Sequence, residues 1–165
     1  MPDTTTTYSS FLRRAGCDAK VIAHCSAVAR CAAEYARSNP DVDEALVEKG
    51  AWLHDIGRAT THSIHHAQAG ADLLRARGEP EAVARIVECH TGAGLTADEC
   101  TLLGLLPRDC IPRTPEEKIV AHADNLIAGK KRVTIEECIA DAFYLQRKFR
   151  KRMYRLARDV DLLSA

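Results

Sequence analysis

Leu53-His54-Asp55-Ile56-Gly57-Arg58 closes an apolar run with a histidine and an aspartate side by side, and glycine then stops it. One imidazole nitrogen and one carboxylate offered at the same place suit a borderline or hard divalent metal. Two ligands cannot hold an ion, so the question passes to the rest of the chain. His24, His66, His90 and Asp124 answer it, spread over four other segments that read as helices.

Upstream, Tyr8 to Ala15 reads as a short helix ended by Gly16, and Asp18 caps a longer one reaching about Arg37. In the latter Val21, His24, Val28, Cys31 or Ala32, and Tyr35 recur at steps of three and four, which turns His24 inward. Asn39-Pro40 breaks the chain. Asp41-x-x-Glu44 has the form of a capping box for the helix of Val47, Gly50, Ala51 and His54, so that the His-Asp pair falls in its last turn. Downstream, a helix of about 63–77 carries His66, Gly70, Leu73 and Leu74 on one face, and the next carries Val83, Ile86, Val87 and His90. Thr96-x-x-Glu99 caps a short helix to about Leu105. Thr114-Pro115-Glu116-Glu117 opens another, with Val120, Ala123, Asp124 and Ile127 as its stripe. Thr134-x-x-Glu137 starts a last helix, read as continuous over about 134–163, with apolar residues at 135, 138, 142, 145, 149, 153, 156, 160 and 163. There is no strand signal and no internal repeat. The expectation is an all-α bundle of about seven or eight helices in a single domain over 1–165, its metal-bearing core at about 20–127.

For any one of the six inward polar residues, the plain reading is a core histidine or a hydrogen-bonded aspartate. The set reads differently. Unpaired buried aspartates cost on the order of several kcal/mol each, and two of them among four inward histidines call for a cation. One or two divalent ions follow, Mn, Fe, Co, Ni or Zn by the imidazole content, with Mg also admitted.

Composition narrows the setting. The chain of 165 residues is 46% hydrophobic and 28% charged, enough for one core without cross-links. No run approaches the ~18 apolar residues of a membrane span and no leader pattern opens the chain, which places the protein in the cytoplasm. Seven cysteines, with no Cys-x-x-Cys pair, read as reduced core thiols. Net charge is zero but uneven: residues 1–128 hold 13 basic and 18 acidic side chains, residues 129–165 hold 10 and 5. The basic run from Arg147 to Arg158 alternates with Leu145, Phe149, Met153 and Leu156 at helical spacing. Its plain reading is an amphipathic helix that packs on its own domain or joins two copies as a homodimer, with a nucleic acid as the less favoured partner.

The order His24, His54-Asp55, His66, His90, Asp124, with His-Asp-Ile-Gly intact, resembles the HD-domain superfamily of metal-dependent phosphohydrolases. More narrowly it is similar to small archaeal HDIG-domain proteins. The resemblance covers roughly 20–127 and implies an all-helical fold. It also implies His24, His54, Asp55 and Asp124 as a one-metal set, with His66 and His90 serving a second ion that Asp55 would bridge. The Gly-Tyr-Pro signature of cyclic-di-GMP phosphodiesterases is absent, and many relatives have lysine where Arg58 stands. Thr91-Gly92 and the cluster Lys130, Lys131 and Arg132 resemble the HD-type hydrolases of diadenosine tetraphosphate. The implied activity is hydrolysis of a nucleotide or related phosphate ester by metal-activated hydroxide, with Asp55 and Arg58 catalytic. Arg58, His62, Lys130 and Lys131 are the candidates for holding phosphate. The competing reading is a non-catalytic module that binds a nucleotide or nucleic acid around a structural metal.

Overall fold

A computed structural model describes residues 4–163. Among the described residues nine α-helices run α1 Thr4–Ala15, α2 Ala19–Arg37, α3 Glu44–Leu53, α4 His66–Ala76, α5 Glu81–Cys89, α6 Ala97–Leu102, α7 Pro115–Asn125, α8 Ile135–Asp141 and α9 Arg147–Leu163. A 3₁₀ turn, Ile56–Ala59, follows α3. The fold is all-α, as the periodicity predicts. No described helix is long and apolar enough to cross a membrane.

Local chemistry explains most of the boundaries. Asp18 caps α2 by accepting from the Val21 N–H, Thr114 caps α7 through the Glu117 N–H, and the boxes Thr96/Glu99 and Thr134/Glu137 both close on themselves. One expected box does not form. Asp43, not Asp41, caps α3, while the Asp41 N–H is taken by Asn39 Oδ1 in a tight turn after Pro40.

The helix α2 packs against α3 and α7, α3 packs against α5, and α4 lies along α5. Their inward stripes supply Val28, Val47, Leu53, Leu74, Ile86, Val87 and Ile119 to one buried core, and the 3₁₀ turn adds Ile56. All seven cysteines are free thiols and six are buried.

Two features depart from the sequence reading. The helix expected over 134–163 is two helices, broken at 142–146, where Phe143 N–H bonds to Ala140 C=O and Leu145 N–H to Ala142 C=O. No proline or glycine marks that break, and the three–four spacing continues through it, so periodicity does not register it. A two-stranded antiparallel hairpin pairs Ile127 with Arg132 and Ala128 with Lys131 around Gly129-Lys130, too short to leave an alternating pattern. The stripe of α9 follows the first of its two plain readings, packing on its own domain: Met153, Leu156, Ala157 and Val160 are buried and α9 packs on α7.

Candidate metal centre and its cleft

Five segments converge at one end of the α2/α3/α5/α7 core. His24 comes from the second turn of α2, His54 from the C-cap of α3, His66 from the first turn of α4, His90 from the C-cap of α5 and Asp124 from the last turn of α7. Asp55 stands just past α3 rather than in its last turn. Its bridge-region backbone (φ −99°, ψ 13°) joins α3 to the 3₁₀ turn and aims the carboxylate inward.

Two glycines set how closely α4 can approach. A Cβ on Gly57 would lie 1.9 Å from the His66 carbonyl oxygen, and one on Gly70 would lie 2.9 Å from the Gly57 nitrogen. Glycine at both positions lets α4 rest on the 3₁₀ turn backbone to backbone. That contact holds His66 Nε2 3.1 Å from Asp55 Oδ1.

Every one of the four imidazoles is anchored through Nδ1 to a backbone carbonyl. His54 uses Ala51 (2.7 Å), His66 Ser63 (2.8 Å) and His90 Val87 (2.6 Å), each three residues back in its own chain, whereas His24 uses Gly129 on the hairpin (2.8 Å). A carbonyl only accepts, so each Nδ1 carries hydrogen and each neutral ring presents a bare Nε2 lone pair. All four lone pairs face acceptors. His24 Nε2 lies 2.8 Å from Asp124 Oδ1, His54 Nε2 lies 3.4 Å from the same oxygen and 3.7 Å from Asp55 Oδ2, and His90 Nε2 lies 3.5 Å from Asp55 Oδ1 and 3.1 Å from His66 Nε2. His54 Nε2 and Asp55 Oδ1 are buried without any hydrogen bond. Acceptors crowded against acceptors require a proton or a metal cation between them.

Titration behaviour carries the same message. Burial opposes charge on His54, yet the Asp55 and Asp124 carboxylates outweigh it and push its pKa up to about 9. Burial likewise works against ionised Asp55 and Asp124, but the facing imidazoles, His54 foremost, hold both far below the usual carboxylate range. His90 goes the other way, kept neutral chiefly by burial. The pocket thus favours positive charge at its centre.

Two ligand groupings are within reach of an ion: the donor atoms of His24, His54 and Asp124 lie within 4.8 Å of one another, and so do those of His54, Asp55 and His90. The Asp55/His66/His90 end is sealed in the core. The His24/Asp124 end is open, with side chains 18% and 20% exposed, and forms part of a cleft of about 600 Å³. Arg58, Thr91, Asn125, Tyr144 and Met153 line the same cleft.

Of the residues expected to hold phosphate, the structure brings only Arg58 to this place. Its Nε lies 2.7 Å from Asp55 Oδ2. His62 is exposed and outside the cleft, contributing its carbonyl to Arg58, because the 60–65 loop turns its side chain to solvent. Lys130 and Lys131 are exposed on the hairpin, whose contribution to the site is the Gly129 carbonyl rather than a cation. Arg132 is taken up by Glu34 at 2.5 Å. Asn125 and Tyr144 escaped the sequence reading. Asn125, next to Asp124, spends its amide N–H on the Gly92 carbonyl (2.7 Å), and Tyr144 lies in the helix break that periodicity does not show.

The sequence profile of the HD domain matches residues 21–129. This chain belongs to the HD-domain family. Among its relatives is an uncharacterized protein of Methanocaldococcus jannaschii, 48% identical over 141 residues, with 83% of this chain and 79% of that one aligned. A tRNA (cytidine(56)-2'-O)-methyltransferase of Picrophilus torridus is 44% identical over 126 residues, covering 76% of this chain but 37% of the enzyme. The HD domain of the L. monocytogenes phosphodiesterase PgpH superposes with a TM-score of 0.52 at 16% identity, covering 87% of this chain and 91% of that domain. At that identity the likeness is one of fold. A second structure of that PgpH domain holds cyclic-di-AMP.

Proposed function

We propose that this HD-domain protein is a metal-dependent phosphohydrolase acting on a nucleotide or related phosphate ester. The observation that carries the reading is the convergence of four imidazoles, each anchored at Nδ1 with Nε2 turned inward, on the buried Asp55 carboxylate and the partly exposed Asp124 carboxylate. His24, His54, Asp55 and Asp124 would hold one ion, and His66 and His90 with Asp55 a second. A divalent ion in such a set supplies an acidified water and a Lewis acid for a phosphoryl oxygen.

The chain's own groups divide the remaining work. The open His24/Asp124 side is where a phosphate can enter, and Arg58 stands at that mouth to neutralise its charge. The imidazole anchors keep the four rings oriented with no reorganisation when substrate arrives. Beside the cleft, and sharing Ile64, Thr91, Gly92, Leu145 and Met153 with it, is an apolar chamber of about 160 Å³ that also takes in Leu95, Leu103 and Phe149. A chamber of that size and lining suits a planar base more than a sugar or a second phosphate. A relative named Ribonuclease Y, of Acidothermus cellulolyticus, 34% identical over 91 residues that make up 54% of this chain and 15% of that one, agrees with phosphoryl chemistry.

The test is a panel of nucleotide mono- and diesters with protein loaded with Mn, Fe, Co, Ni, Zn or Mg. Asp55→Asn should abolish metal-dependent turnover while the chain stays folded, with Tm falling about as far as removal of the metal lowers it. Absence of any turnover that Asp55→Asn removes, together with tight nucleotide binding, would leave the non-catalytic module as the better reading.

A further inference from the structure

We infer that the natural ligand of the cleft is a stretch of single-stranded nucleic acid, held along the outer face of α9 and led into the cleft past Tyr144. The inference rests on the phosphohydrolase reading and narrows its substrate class.

The basic run of α9 divides into two groups. Lys148 and Arg152 bind Glu99 (3.0 and 2.9 Å) and are structural. Arg147, Arg150, Lys151, Arg155 and Arg158 point elsewhere, and among the described residues none of them is in an ion pair. Their spacing of three and four puts them on one face, over about 16 Å at 1.5 Å per residue. The first four flank a groove of about 340 Å³ that includes Ile139 and Tyr154. A face that served solvation alone would need no aromatic side chains. Here Tyr154, 45% exposed, stands among the basic residues, and Phe143 and Tyr144, 76% and 75% exposed, are displayed on the connection that precedes α9.

Position joins these observations. The groove and the metal cleft lie on either side of α8 and its connection to α9: Ile139 lines the groove, whereas Cys138, Asp141, Ala142 and Tyr144 line the cleft. Single strands are bound by a basic track for the backbone combined with aromatic faces on which unpaired bases stack. A mononucleotide is too short to use such a track, and a duplex keeps its bases from the rings. An anionic membrane fits poorly, since the apolar face of α9 is already buried on α7. Asp141 is the one acid lining the cleft near this path, and Glu136 and Glu137 flank it on exposed positions of α8.

The experiment is fluorescence anisotropy of metal-loaded full-length protein with a labelled, phosphorothioate-linked single strand of about ten nucleotides, within the range such sites cover. Arg150→Glu/Lys151→Glu should raise Kd by at least about 10-fold and flatten the salt dependence by about 1.4 in log–log slope, at ~0.7 per lost phosphate contact. It should leave hydrolysis of a mononucleotide ester unchanged. Tyr144→Ala should weaken binding by roughly 5- to 150-fold without altering the salt slope. No binding of the strand, alongside intact mononucleotide hydrolysis, overturns this inference and spares the phosphohydrolase reading. Binding without turnover of any ester does the reverse. Equal binding of duplex or inorganic polyphosphate, indifferent to Tyr144→Ala, marks a generic polyanion face and also overturns it.

Discussion

Gly57 shows how much one missing Cβ decides. A methyl there would meet the His66 carbonyl and the Gly70 nitrogen, both backbone, so neither can swing aside. Gly57→Ala should cost about 3 kcal/mol, the upper end of overpacking penalties, and lower Tm by about 6–12 °C in a domain of this size. Differential scanning calorimetry checks it, and Gly70→Ala, with gentler contacts, should cost less. Glu99 gives a pH test. Its hydrogen bonds from Arg152 outweigh burial and, with the Thr96 N–H and Lys148, pull its pKa down to about 2. A carboxyl depressed in the folded state contributes stability above its unfolded pKa, and that contribution disappears as pH falls through the folded one. Tm should therefore fall between about pH 4.5 and 2, and Glu99→Gln should flatten that part of the curve. At this scale the six His and Asp positions were legible in the sequence because each sits on or ends an apolar stripe. Their Nδ1 anchors were not, since a backbone carbonyl has no letter of its own.

Among the elements, α9 was legible in its faces and not in its beginning. Its apolar positions were read correctly, but the break at 142–146 is built from turn bonds that alanine, phenylalanine and tyrosine do not announce. The partner of its apolar face was equally hidden, because periodicity says that a stripe is buried and not by what. Since that partner is α7 of the same chain, Leu156→Ala should destabilise the domain by about 2–4 kcal/mol, as a buried truncation does. The same variant should sediment with unchanged mass. A shift in mass without loss of stability would restore the stripe as a contact between copies. The hairpin of 127–132 was missed for a related reason: two residues per strand are too few for alternation to show, yet it is this element that supplies the anchor for His24.

For the molecule as a whole, a metal in the proposed set is linked to folding, because its ligands meet only in the native chain. Stripping it with a chelator should lower Tm by about 5–10 °C, which corresponds to about 2.7 kcal/mol at a free metal concentration 100 times Kd. Re-addition of the ion should restore it. The anchors of the four rings also put the site on a timetable. His54, His66 and His90 take their carbonyls from three residues back, so each acquires its working tautomer as soon as its own turn forms. His24 must wait for Gly129, 105 residues later, and for Asp124, 100 residues later. Closing so long a loop is slow beside the microsecond formation of a helical turn. A metal held at the His24 end would therefore be captured late in refolding: in stopped-flow experiments metal uptake there should lag the far-ultraviolet circular dichroism signal, and simultaneous arrival of the two would refute the order.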